Sequence, residues 1–365
     1  LRGRGSWRCG GTVILGELGL GNLDSQWKPV VCPAFRDRTL KAIACGGAHT
    51  LFLTDNGCVY ATGLNDFGQL GVSESKHYSV EPLCVFGEEK KVVQVSAGYN
   101  HSCAITVDGE LYMWGKNTSV QLGLGKRAPN IVPLPTKVEY LNGINIKMAA
   151  LGSDHSLAIS DGGEAFSWGV GVSGRLGHGH ESSILGFFKS YSEYTPRLIK
   201  DLEGIKVKYV ASGLLNSACT DKMVLFLYLV KGQLKDWYRL KAMSDATKPS
   251  LIGELPSSKV VCGGYHTCVL TNSGELYTWV QMKMAALVLV PRMSFICLKR
   301  SRAILENTAA ISEGRVFTWG WGGSNGTFSE VGHSSSGQLF LPLILLKSTI
   351  ICLAQTINKV GWSNY

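Results

Sequence analysis

Four histidines stand at matching places in the chain, and imidazole is the side chain best suited to metal binding or proton transfer near neutral pH. His49, His101, His155 and His266 each close a Gly-x-x-His unit that begins at Gly46, Gly98, Gly152 and Gly263, and Asn216 takes the histidine position after Gly213. Metal or acid–base chemistry needs such groups to converge on one point. Spread one per repeat, they fall on separate sheets at equivalent inner positions, where an imidazole bonds backbone groups across a turn. His178 and His180 flank Gly179 with no third ligand nearby in sequence, which reads as a surface loop and not as zinc. The eleven cysteines form no C-x-x-C pair and no even framework, so a reducing compartment fits. No glycine run has the order of a phosphate-binding loop, and no G-x-S-x-G elbow is present. The expectation is no catalytic residue, no metal and no cofactor. The triplets Asn100-His101-Ser102, Asn117-Thr118-Ser119 and Asn325-Gly326-Thr327 match the glycosylation pattern and are read as coincidence.

The elements that carry these residues follow from a repeat. Leu18-Gly19, Leu70-Gly71, Leu122-Gly123 and Leu176-Gly177 recur at intervals of 52, 52 and 54 residues. Thirteen residues after each histidine come Thr62, Trp114, Trp168 and Trp279, and in the first three units the leucine of the Leu-Gly pair follows eight residues later. Segments 92–95, 101–107 and 111–114 are short, rich in β-branched or aromatic residues and bounded by turn signals, as strands are. Asn56-Gly57 and Asp108-Gly109 supply hairpin turns. Leu111-Tyr112-Met113-Trp114 is bulky on both faces, which suits a strand sandwiched between neighbouring sheets. Small four-stranded sheets at this period make a propeller. The expectation is an all-β, seven-bladed β-propeller of about 52-residue repeats, filling residues 1–365 as a single body.

Gly-x-x-His, then Asp-Gly-Glu-Leu-Tyr-Met-Trp-Gly at 108–115, then Gln-Leu-Gly-Leu-Gly at 121–125 resembles the regulator of chromosome condensation repeat. The resemblance covers 16–220 well and returns at 261–279 and 308–339. It implies a seven-bladed ring closed by pairing of the two chain ends, in which His49, His101, His155, His266, Trp114, Trp168, Trp279 and Trp319 are structural repeat positions. Residues 221–365 are partly degenerate, with breaks at 223–248, 280–306 and 340–365, so the later blades are expected to be incomplete. The break after Asp221 is expected to remove the hairpin's second strand, and weak local stability is expected from about residue 223 onward. Among family members the chain is similar to plant ones, a group that includes an ultraviolet-B photoreceptor with a repeated Gly-Trp-Arg-His-Thr motif. Here the tryptophan position holds Gly47, Tyr99, Ser153, Leu214 and Gly264, and the arginine position holds Ala48, Asn100, Asp154, Leu215 and Tyr265. The light-sensing role is therefore not expected to transfer.

The resemblance implies a non-enzymatic protein-interaction propeller, chromatin- or signalling-associated, with guanine nucleotide exchange on a small GTPase as the alternative. A loop in the third unit offers clustered aromatics for a partner: Phe187, Phe188, Lys189, Tyr191 and Tyr194. The same rings could instead cover the edge of their own blade. The formal charge of +9 suits an acidic partner or simple solubility, and direct nucleic-acid binding stays open because the basic clusters lack interleaved aromatics. The apolar runs 223–230, 285–290 and 339–346 are far short of the roughly 20 residues a membrane helix needs. Nucleus or cytoplasm is the expected location, and organelle import stays open because the chain starts at Leu1 with no apolar signal core after Arg8.

Overall fold

The computed structural model describes residues 8–11, 15–73, 76–171, 174–179, 192–214 and 216–221, and the segments 225–229, 250–254, 257–263, 266–271, 276–280, 288–289, 308–312, 315–321 and 338–345. Its strands form seven antiparallel sheets. β1 (Arg8–Gly11) pairs with β2 (Gln26–Val31). The first four-stranded blade holds β3 (Leu40–Cys45), β4 (His49–Thr54), β5 (Val59–Leu64) and β6 (Tyr78–Phe86). The second holds β7 (Val92–Ala97), β8 (His101–Thr106), β9 (Leu111–Lys116) and β10 (Ile131–Lys137). In the third are β11 (Ile146–Leu151), β12 (His155–Ser160), β13 (Ala165–Val170) and β14 (Ser192–Leu198). The fourth contains β15 (Val207–Ser212), β16 (Ser217–Asp221), β17 (Leu225–Leu229) and β18 (Ser250–Glu254), and the fifth β19 (Ser257–Cys262), β20 (His266–Thr271), β21 (Leu276–Val280) and β22 (Val288–Leu289). A three-stranded sheet of β23 (Thr308–Ser312), β24 (Arg315–Trp321) and β25 (Gln338–Leu345) follows.

The innermost strands β3, β7, β11, β15 and β19 pack against one another in chain order. The side-chain amide of Gln94 joins two of them directly, donating to the Ala149 carbonyl at 3.0 Å and accepting the Ala149 N–H at 3.1 Å. Hydrophobic clusters lie between blades, not within them. Leu51, Leu53 and Leu70 of the first blade meet Val92, Tyr112 and Trp114 of the second, while Ile105, Met113 and Leu122 of the second meet Ala149, Phe166 and Trp168 of the third. Every residue of β4, β8 and β12 is buried, so both faces of each sheet are covered by neighbours.

Register aligns the incomplete sheets with the complete ones. Trp319 faces Thr308 as Trp279 faces Thr267, so β23 matches a second strand, and the sheet lacks an innermost strand among the described residues. β1 and β2 match a third and a fourth strand, and no ladder among the described residues joins them to strands from the C-terminal side. One expectation is corrected. The hairpin's second strand, expected to be lost after Asp221, is present as β17, with Leu229 opposite Ser217 where Trp168 stands opposite Ser156. Ladder bonds are made by backbone groups, and Leu-Phe-Leu-Tyr-Leu has the β propensity to sustain them without the repeat's Trp-Gly. Strands β22 and β25 likewise fall within or across the stretches read as breaks.

Candidate interaction face and the clasp beneath it

Each histidine turn ends an innermost strand and starts the strand outside it, which carries the imidazole to the boundary with the next blade. There His49 Nε2 lies 2.8 Å from Ser102 Oγ, His101 Nε2 3.2 Å from Ser156 Oγ, and His155 Nε2 2.9 Å from Ser217 Oγ. A serine hydroxyl has one proton. Ser102, Ser156 and Ser217 donate theirs to the carbonyls of Gln69, Gln121 and Arg175, each at 2.8 Å. The imidazoles must then donate from Nε2, which places a proton on that nitrogen. Trp114 and Trp168 donate their indole N–H to the Gln69 and Gln121 carbonyls at 3.0 and 2.8 Å, so one backbone oxygen gathers the serine and the tryptophan of the following blade. In the fourth blade Asn216 Nδ2 donates to Thr267 Oγ1 at 3.0 Å, reproducing the joint with an amide. At the other end, Thr50 Oγ1 donates to the Glu17 carbonyl at 2.7 Å, which ties the segment after β1 into the same series.

Burial holds these histidines in the neutral form in the folded state near neutral pH. Burial pushes His49 down to about 4 and His101 to about 3, and His155 well below its ordinary value. Nδ1 of all three is buried with no protein partner, so a second proton would have nothing to bond. Burial likewise pushes the thiols of Cys103 and Cys219 up to about 12, away from reactivity. His178 is occupied by Ser167 Oγ at 2.9 Å, and no group of three potential metal ligands exists among the described residues. Asn117 is buried, its amide held by the Pro129 carbonyl and the Leu122 N–H, which removes it as a glycosylation acceptor.

Above the clasp the Gly-x-x-His turns and the loops before Leu-Gly share one end of the blades. The backbone N–H groups of Leu64, Lys116 and Val170 bond the carbonyls of Ala48, Asn100 and Asp154. Contacts run across this face from blade to blade. Lys116 lies 5.8 Å over the Phe67 ring and 3.7 Å from Asp154 Oδ1, and the Ser119 hydroxyl donates to the same oxygen at 2.9 Å. Burial works to raise the Asp154 carboxyl, but Ser119, Lys116 and Arg175 outweigh it and hold the group below its ordinary value. Arg175 is only 4% exposed. Its Nε donates to the Val170 carbonyl at 2.7 Å and Nη1 to the Leu214 carbonyl at 3.0 Å. Gln69 and Gln121 occupy the same loop position, and their Nε2 groups are buried without a protein partner. The guanidinium thus uses donor capacity that the glutamines leave idle.

Of the sequence-derived residues, His49, His101, His155, Trp114 and Trp168 come together in the clasp. His266, Trp279 and Trp319 keep the matching strand positions, with side chains outside the described residues. Phe187, Phe188, Lys189 and Tyr191 also lie outside the described residues. Tyr194 is in β14, where its carbonyl accepts the Gly125 N–H and its ring lies 5.5 Å from Lys126 of the preceding blade. The sequence reading missed the hydroxyl that follows each clasp residue, at Thr50, Ser102, Ser156, Ser217 and Thr267, and the residue before each Leu-Gly. The hydroxyl was present as a fixed type at a fixed offset, whereas the residue before Leu-Gly keeps its offset but varies in type, as Glu17, Gln69, Gln121 and Arg175.

Comparison with known proteins matches residues 6–337 to the sequence model of the RCC1-like domain. The chain is 30% identical over 277 residues to the ultraviolet-B receptor UVR8 of Arabidopsis thaliana, covering 72% of this chain and 58% of the receptor. It is 30% identical over 331 residues to the probable E3 ubiquitin-protein ligase HERC3 of Homo sapiens, covering 74% of this chain and 30% of the ligase. The chain therefore spans less than two thirds of either relative. Among solved structures it is similar to Prp20p of Saccharomyces cerevisiae, described with its binding properties to Gsp1p and histones, at 25% identity and a TM-score of 0.74, covering 95% of this chain and 87% of that one.

Proposed function

The chain belongs to the RCC1-like domain family, and from that premise we propose that it is a non-enzymatic interaction propeller whose partner docks on the end formed by the histidine turns and the Leu-Gly loops. The observation that carries this reading is the contact chain from Phe67 through Lys116 to Asp154, with the buried Arg175 charge acting on the same carboxylate. It holds charges in fixed positions across blade boundaries while leaving the Lys116 and Asp154 side chains 24% and 33% exposed. Charges fixed by a rigid scaffold lose little freedom on docking, which favours recognition over catalysis. The partner classes follow from the relatives: a chromatin protein, or a small GTPase for which the activity would be nucleotide exchange. Ligase activity is not carried over, because only 30% of HERC3 is spanned. Nucleus or cytoplasm is the proposed location, with organelle import open.

The test titrates purified core histones and a panel of purified small GTPases against the chain, and against Lys116→Glu and Asp154→Lys variants with unchanged circular dichroism. One partner should bind, and each variant should weaken it about tenfold, as for a desolvated charge at an interface. Binding that ignores both variants would remove this face from the proposal. Catalysed nucleotide release from a GTPase would promote the exchange reading over a passive platform.

A further inference from the structure

The opposite end of the blades carries a different chemistry. Each innermost strand begins with a bulge: Leu40 faces Thr54 and Ala42 faces Leu53, so the residue between them is skipped, and the same happens in the next four blades. The skipped residues are Lys41, Val93, Lys147, Lys208 and Ser258. Lys259 takes the next register position, and Lys91 and Lys206 directly precede β7 and β15. Lys41, Lys91, Lys147, Lys206 and Lys259 are exposed, and Lys208 is half-buried over the Tyr209 ring at 5.2 Å. None of these lysines belongs to an ion pair among the described residues, and none of the five innermost strands contains an aspartate or glutamate. The acids beside them are Asp221, buried opposite Val207, Glu88 and Glu89, which precede Lys91 in sequence, and Asp55 and Asp161 at hairpin tips one strand further out, whose N–H groups bond the Thr39 and Asn145 carbonyls.

From this arrangement we propose a second binding site: a crown of lysines around the hairpin-side mouth of the channel that takes an acidic polypeptide segment, a run of aspartate and glutamate. Like charges gathered around a low-dielectric opening focus their field on its axis. The crown supplies ammonium point charges and no arginine, and its one aromatic, Tyr209, already lies under Lys208. Bases would find no stacking platform there, and a forked phosphate would find no bidentate partner, whereas carboxylates on a single extended chain need only closely spaced cations. The site lies at the far end of the blades from the proposed docking face and does not depend on that reading.

A fluorescein-labelled oligoglutamate peptide and an oligothymidylate of equal charge, titrated against the full chain by fluorescence anisotropy at low and physiological salt, test the proposal. The peptide should bind more tightly than the oligonucleotide and weaken as salt rises. The triple variant Lys41→Gln, Lys147→Gln, Lys208→Gln should weaken it by at least about tenfold, since three fixed charges of the focused field are gone, and Lys116→Gln at the opposite end should leave it unchanged. Absence of peptide binding, equal loss in Lys116→Gln, or tighter binding of the oligonucleotide would overturn it. Because Lys41, Lys147 and Lys208 are solvent-accessible and belong to no ion pair among the described residues, unchanged circular dichroism is expected for the triple variant and separates lost binding from lost fold.

Discussion

The neutral, buried histidines make stability depend on pH, and His101→Asn isolates the effect. In the unfolded chain a histidine titrates at about 6.5, whereas burial holds His49 at about 4 and His101 at about 3. The folded pKa is depressed for a group that is charged when protonated. The unfolded state therefore takes up protons first, and stability that is complete above about pH 6.5 is lost as pH falls towards the folded values. For a shift such as that of His49, the loss between about pH 6.5 and 5 is about 1.5 kcal/mol per group. His49 and His101 together lose about 3 kcal/mol, a substantial part of the roughly 5–15 kcal/mol available to a domain, and His155, also held well below its ordinary value by burial, adds to the loss in the same direction. Asparagine is the natural control, because Asn216 makes the same donation to Thr267 in the fourth blade. Guanidinium unfolding of wild type and His101→Asn at about pH 7.5 and pH 5 should show the variant losing about 2 kcal/mol less on acidification. Carboxylates that titrate in this window are common to both proteins and cancel in the difference. If both proteins lose the same stability, burial does not hold the imidazole neutral.

Further expectations concern single positions. Val120 has φ 51, the conformation that Gly68 and Gly174 adopt at the same loop position, so Val120→Gly should stabilise the chain by about 1 kcal/mol; a loss of stability in urea denaturation would show that valine packing outweighs the strain. Ser156→Ala strips the His101 N–H of its acceptor in a fully buried site and should cost about 2–3 kcal/mol, and a cost below about 0.5 kcal/mol would mean another group takes up the donor. Ultraviolet-B should cause no change of oligomeric state. Trp114 and Trp168 are completely buried and bonded to backbone, and the turn positions hold Tyr99 and Ser153. Size-exclusion chromatography before and after irradiation decides this, and a dimer that dissociates in light and re-forms in darkness would contradict it.

Repeat period, strand identity and hairpin turns were legible because they rest on local chemistry: alternation, Asn-Gly and Asp-Gly turns, and a glycine-punctuated period. Gly57 and Gly109, read as hairpin turns, do have positive φ of 89 and 77. The clasp was legible only in half. A histidine at a fixed offset announces itself, but its acceptor is a serine of the next repeat, whose own proton goes back to a carbonyl of the histidine's repeat, a relation between units that no single repeat displays. Strand β17 was misread for the opposite reason. The motif that marks the strand elsewhere is a packing device, and its absence in Leu225–Leu229 removed the marker without removing the backbone's capacity to pair.

Every clasp also points the same way along the chain, with the imidazole or amide on one blade and the hydroxyl on its successor. A blade is thus a link with a hook at its trailing side and an eye at its leading side. Whole-repeat duplication or deletion preserves hooks and eyes in equal number, so a lineage of such chains can change its repeat count without stranding either. An interruption inside a repeat does not have that freedom, because it takes one half of a joint and leaves the other buried in a neighbour that is otherwise intact.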